Sequence, residues 1–195
     1  MGILVSSSLL IPLLALGQET GRVRAGEQPP PPLKGEIHAI ADPAPMRSFK
    51  DLCDRADMIV EGAVETDAAR VMRGRGDYRV ETDFWIAVDR VLKGPSDTRR
   101  LVVSEMGGTF GELRLLMNYT LMQRGQRYVL FLYEDKSQAR PPVPGLTRYQ
   151  DNVFYGRYLV EDGTVRSTFP VSETAQYNGM TVDQFRAEIR KQLGK

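Results

Sequence analysis

From Tyr78 to Leu92 the side chains alternate: Val80, Thr82, Phe84, Ile86 and Val88 fall on one side, and Glu81, Asp83, Ala87 and Asp89 fall on the other with Trp85. A period of two is that of a strand with one face on a core, and it is hard to build as a helix. The charged side is expected to face solvent. Upstream the period changes. Ser48 has the chemistry of an N-cap, with Asp51 three residues on, and Phe49, Leu52, Cys53 and Ala56 share one helical face, so a short half-buried helix is expected there. Met58 to Glu65 reads as a strand, and Arg70 to Asp77 as a polar, glycine-containing crossing.

Beyond Lys93-Gly94-Pro95, strands are expected at Arg100 to Met106 and Leu113 to Met117, separated by a loop that Gly107, Gly108 and Gly111 bracket. The continuous apolar run Tyr128 to Tyr133 suits a central strand. After a proline-rich excursion from Arg140 to Gly145, Phe154 to Val160 and Thr164 to Thr168 read as a hairpin, because Asp162-Gly163 supplies the positive backbone angles of a tight turn. At the C-terminus Thr181 and Gln184 form a capping box and Met180 and Phe185 a hydrophobic staple. Val182, Phe185, Ile189 and Leu193 line one face of the helix that follows, and Gly194 ends it. The fold class expected is mainly β: a five- to six-stranded OB-like Greek-key barrel with a short N-terminal helix and a C-terminal capping helix.

Segments before Ser48 lack this periodicity. Residues 1–17 form an apolar run too short to span a bilayer, ending in Ala15-Leu16-Gly17, which suits signal-peptidase cleavage although no Lys or Arg precedes it. Residues 18–45, with four prolines at Pro29 to Pro32, read as a disordered linker, and residues 46–195 as the barrel domain. No transmembrane helix is expected after cleavage. Export is the expectation, and the single cysteine, which leaves no internal disulfide, favours a bacterial periplasmic or extracellular setting.

Composition narrows the chemistry. Lys and Arg number 26 against 25 Asp and Glu, so no global field draws in nucleic acid or an acidic membrane. One histidine, His38 within the linker, leaves histidine-rich metal sites and Ser-His or Cys-His catalysis without a base, and neither a cofactor nor a metal is expected. Cys53, on the apolar helical face, reads as a small core residue rather than a nucleophile.

The run Leu52-Cys53-Asp54-Arg55-Ala56-Asp57-Met58-Ile59-Val60-Glu61-Gly62-Ala63-Val64, followed by a long strand ending Val91-Leu92-Lys93-Gly94, resembles the N-terminal domain of tissue inhibitors of metalloproteinases and netrin-like modules. The chain also resembles exported bacterial proteins that share the Ala-Asp, Lys-Gly and Gly-Gln-Arg-Tyr-Val-Leu-Phe-Leu blocks, the last here at Gly125 to Leu132. The resemblance spans Phe49 to Thr168 and implies an oligonucleotide/oligosaccharide-binding-type barrel. It implies no inhibitory residue. Those inhibitors chelate the protease zinc through a mature N-terminal cysteine, whereas cleavage here would leave Gln18 in front.

Candidate sites are few. Asp83 and Asp89 share a face but lie six residues apart, roughly 20 Å at a strand rise near 3.3 Å, beyond the separation a glycosidase pair uses. No catalytic residue is assigned. The arginines Arg70, Arg73, Arg75 and Arg79 cluster near Trp85 in sequence, and Arg73, Arg75 and Trp85 are the binding residues expected. The function expected is an exported, non-enzymatic module that binds a protein or envelope component. Two alternatives remain: a polyanion or single-strand binder, and an enzyme whose Asp and Glu residues converge in one concave pocket. Oligomeric state is left open.

Overall fold

The long alternating segment is the spine of the structure, a computed structural model that describes residues 34–42, 48–73, 78–136, 143–169 and 172–195. Its elements in chain order are β1 (Gly35–Ala39), α1 (Phe49–Arg55), β2 (Met58–Arg73), β3 (Tyr78–Lys93), β4 (Arg100–Met106), β5 (Gly108–Phe110), β6 (Leu113–Met117), β7 (Arg127–Glu134), β8 (Arg148–Asp151), β9 (Arg157–Glu161), β10 (Thr164–Ser167), α2 (Ser172–Ala175) and α3 (Val182–Gln192). The fold is mainly β.

β2 and β3 form the longest ladder, antiparallel from Ile59↔Lys93 to Arg73↔Tyr78. Here the polar stretch beginning at Arg70 differs from the expected crossing. Arg70 to Arg73 continue β2, because Arg70 finds carboxylates on the facing strand at Glu81 and Asp83. The ladder bends at bulges, one of them between Glu61 and Gly62. A Cβ on Gly62 would meet the Ala87 carbonyl oxygen and lie 2.8 Å from Ile86 Cγ2, so the close strand approach requires glycine.

The seven-stranded sheet runs β10-β9-β7-β2-β3-β4-β8, and β7 also pairs with β8. One edge of β7 is therefore divided: Arg127 to Leu130 bond to β9 and Leu132 to Glu134 to β8. The second pairing draws β2, β3, β4, β8 and β7 into a partial barrel-like ring, while β9 and β10 peel away as a ribbon. β8 lies parallel to β4 through only Val102↔Arg148 and Val103↔Tyr149. The sequence gives β8 no sign of its own, being four residues with no alternation.

Three apolar clusters follow from this geometry. Met58, Val60, Val64, Phe84, Ile86, Leu101, Val103, Leu130 and Leu132 fill the ring. On its outer side α1 and α3 bury Phe49, Leu52, Cys53, Phe185 and Ile189 against Ile59, Phe131 and Tyr158. A small third cluster, Val80, Leu113 and Leu115, lies under a separate sheet of order β1-β6-β5. Helix ends are as expected: Ser48 Oγ accepts from the Asp51 amide at 3.1 Å, and the Thr181–Gln184 capping box is complete. The hairpin turn holds Asp162 at φ 48° and Gly163 at φ 75°.

Two segments depart further from expectation. Gly35–Ala39, inside the stretch read as a linker, is a strand parallel to β6. The glycine-bracketed loop contains β5, antiparallel to β6. Residues 1–17, the proline run, Arg75 and residues 140–142 lie outside the described residues. Among those described, no helix is long and apolar enough to cross a membrane.

Candidate functional site

The charged side of β3 is where structure and simple alternation part. Val102 of β4 stands opposite Trp85, and Arg148 of β8 opposite Val102; Ser104 stands opposite Asp83 one row along. Trp85, Asp83 and Glu81 therefore share the outer wall of the ring with Ser104 and Arg148. Glu81 and Asp83 are buried there rather than solvated. Arg70 binds Glu81 through Nη2 at 3.1 Å and also pairs with Asp83, whose other oxygen takes Arg148 and the Ser104 hydroxyl, the latter at 2.6 Å. Burying a carboxylate without such partners would cost several kcal/mol, so the arginines from β2 and β8 are what let the acids lie flat on the wall. Asp89 does face outward, paired with Arg127 at 2.7 Å.

Trp85 sits half-buried in this network. Of the other binding residues expected, Arg73 pairs in register with Tyr78 at the far end of the ladder, seven residues along β3 from Trp85. At about 3.3 Å per residue that is roughly 23 Å, so the two do not meet. Arg75 lies outside the described residues. The same face instead holds residues that the sequence reading passed over: Val102 stands opposite Trp85, and Arg148 binds Asp83 two residues along β3. Arg148 belongs to a strand with no signature, and only the parallel β4–β8 pairing brings it near.

A second ionic cluster lies at one end of the ring. Arg157, on β9, extends Nε to Asp151 Oδ2 at 2.8 Å, Nη2 to Glu105 Oε2 at 3.0 Å and Nη1 to the Thr120 carbonyl at 2.9 Å. All three charged side chains are essentially inaccessible to water. Burial alone would depress the guanidinium, but Asp151 and Glu105 hold its pKa above the usual arginine value. Burial pushes the Glu105 carboxyl up to about 8, with Arg157 opposing and Asp151 adding to the rise, and Glu105 Oε1 has no hydrogen-bond partner. Burial raises Asp151 as well. Two carboxylates against one guanidinium leave one negative charge in excess, and a proton on Glu105 removes it.

This is the convergence of acids that an enzyme reading requires, but its geometry is unsuited to chemistry. The adjacent pocket, of about 150 Å³, is lined by Thr120, Gln126, Tyr128, Arg157, Arg166 and Thr168 among others. Of the cluster only Arg157 lines it, and neither carboxylate contributes to its wall. A general acid or base must reach its substrate within hydrogen-bond distance or through one water. Glu105 did leave a trace in the sequence: it is in phase with Leu101 and Val103, a charge on an apolar face.

Elsewhere, Cys53 is fully buried, its thiol pushed up to about 12 by burial first and by Asp54 second. His38 is an exposed residue of β1, 2.8 Å from Glu36 Oε1. Among the described residues, no three His, Cys, Asp or Glu side chains are placed to hold a metal ion. No protein-family model matches the chain, and no curated protein matches it.

Proposed function

We propose that the chain is an exported, non-enzymatic binding module of the OB type, related in scaffold to netrin-like domains, and that it holds a protein or envelope component against the outer wall of β3 and β4. The ring order β2-β3-β4-β8-β7, with β4 and β8 parallel, suits a five-stranded Greek-key barrel of that type. The observation that carries the reading is Trp85, a half-buried aromatic on a central strand, beside ion pairs that fix its surroundings. Aromatic anchors on rigid elements are the usual centre of a binding patch. Among the described residues the ion pairs beside Trp85 set Arg70 and Arg148 against Glu81 and Asp83, which favours a neutral or mixed-charge partner over a polyanion.

Trp85 is the only tryptophan, so its emission reports directly on this wall. Titration with solubilised bacterial envelope fractions should shift that emission, and Trp85→Ala should lose capture of the same component while keeping its melting temperature. Capture that survives Trp85→Ala but is lost in Arg73→Ala/Arg75→Ala would move the site to the far end of the ladder. Affinity that collapses with added salt would favour the polyanion reading.

A further inference from the structure

The small sheet β1-β6-β5 leaves one long side of β1 open among the described residues. Gly35 N–H bonds to the Glu112 carbonyl at 3.2 Å, which fixes which groups face which way. In a parallel strand both backbone groups of a residue point to the same side. Gly35, Ile37 and Ala39 therefore bond toward β6, while the N–H and C=O groups of Glu36 and His38 point to the open edge. Gly35, Glu36, Ile37 and His38 are all exposed, Ile37 at 42 % and the following Ile40 at 80 %. Monomeric proteins blunt such edges with charged side chains, Pro or a bulge; Gly35–Ala39 carries no Lys, Pro or bulge, and its one fixed charge, Glu36, has a histidine two residues on with which to pair.

We propose that this edge pairs with β1 of a second copy of the chain, antiparallel and centred on Ile37. The open-edge residues have the spacing such an axis requires. With Ile37 on the two-fold, Glu36 stands opposite His38 of the second copy and His38 opposite its Glu36. These are the residues whose backbone groups point outward, so each forms a doubly hydrogen-bonded pair. The side chains match too, a carboxylate acceptor facing an imidazole on both sides of the axis, already compatible within one chain, where His38 Nε2 and Glu36 Oε1 lie 2.8 Å apart. Ile37 meets its own copy on the opposite face, the side of Leu115 and the third apolar cluster. This is an isologous contact, self-complementary by sequence. A five-residue strand pairing lies below the roughly 1,200 Å² of a tight dimer, so the association is concentration-dependent. The surface is separate from the Trp85 wall, and neither proposal depends on the other.

Cysteine cross-linking of the full chain tests the register. The native Cys53 is buried and does not interfere. In Ile37→Cys the two introduced thiols face each other as a non-hydrogen-bonded pair, about 4.5 Å apart at Cα, within disulfide range. In Ile40→Cys they do not, because position 40 stands opposite Lys34 of the second copy. Exposure favours the second variant and register favours the first. Under mild oxidation Ile37→Cys should form covalent dimer at least tenfold faster, and sedimentation of the wild type should move from monomer toward dimer over a hundredfold range of concentration. His38→Pro, which removes an outward N–H and none of the bonds to β6, should remain monomeric with unchanged circular dichroism. Equal or faster cross-linking of Ile40→Cys, a wild type monomeric throughout, or preferential cross-linking of Ile37→Cys to a different protein in an envelope extract would each overturn the proposal.

Discussion

Replacing Glu105 with Gln keeps its volume and removes its charge, and the consequence for stability can be worked out from the Arg157 cluster. The folded protein holds the Glu105 proton up to about pH 8, whereas an unfolded chain releases it near the usual 4.5. The contribution is complete below the unfolded value and is lost as the pH rises through the folded one. A full proton of difference is worth about 1.4 kcal/mol per pH unit, so between pH 5 and pH 8 the wild type should lose about 3 to 4 kcal/mol from this group as an upper figure. Asp151, raised by the same burial, acts in the same direction. Glu105→Gln is neutral at every pH and lacks the Glu105 contribution. Urea denaturation of both proteins at pH 5, 6, 7 and 8, followed by circular dichroism, gives the difference directly. The variant should gain on the wild type steadily with pH. Parallel curves across this range would refute the reasoning, since Glu105 would then be ionised in the fold, with Arg157 meeting its charge in full despite the burial.

Arg157→Leu leaves Glu105 and Asp151 without their shared cation and should destabilise the protein by about 3 to 5 kcal/mol at pH 7, with partial recovery at pH 5, read by urea midpoint. Gly62→Ala forces a methyl group into the Ala87 carbonyl and Ile86, and should cost upwards of about 2 kcal/mol, seen as a lower melting temperature, whereas Gly163→Ala has open space around it and pays only for its positive φ. Thr181→Ala removes the N-cap acceptor for the Gln184 amide and should cost about 1 kcal/mol, with faster amide exchange in the first turn of α3.

Elements whose signals are local were readable from the chain: both capped helices, the β3 alternation, and the Asp162-Gly163 turn all depend on neighbours within a few residues. Elements that depend on distant partners were not. Arg70 to Arg73 look like loop until Glu81 and Asp83 are placed opposite them, β8 shows no periodicity, and Gly35–Ala39 becomes a strand only beside β6. The site reading shows the same division. Trp85 was identifiable as an aromatic on a polar strand face, but Arg148, which binds Asp83 on that face, comes from 63 positions beyond Trp85 along the chain, and Arg73, close in sequence, lies far down the ladder. Alternation also misassigned Glu81 and Asp83, because it assumes that a charged face is a wet one.

The two ionic clusters have a common element that explains why so much charge is buried in a small ring. β8 joins β4 through two residue pairs and β7 through three, a short ladder on each side whose register side-chain pairing can reinforce against a slip. Arg148 fastens its start to Asp83 on the outer wall, and Asp151 fastens its end to Arg157 at the end of the ring. Moving β8 by one residue would turn both side chains to the wrong face and leave Asp83 and Arg157 each short of a buried partner, a penalty of several kcal/mol per charge. Charge thus adds to the backbone pairing and the single core residue, Tyr149, in specifying the closure of a short strand. The same commitment bears on function. Asp83, Asp151 and, through Arg157, Glu105 are fixed in holding the ring shut, and an acid tied to a buried arginine is poorly placed to exchange protons with a substrate. A half-buried tryptophan on the wall those pairs stiffen is better placed to receive the binding partner proposed for it.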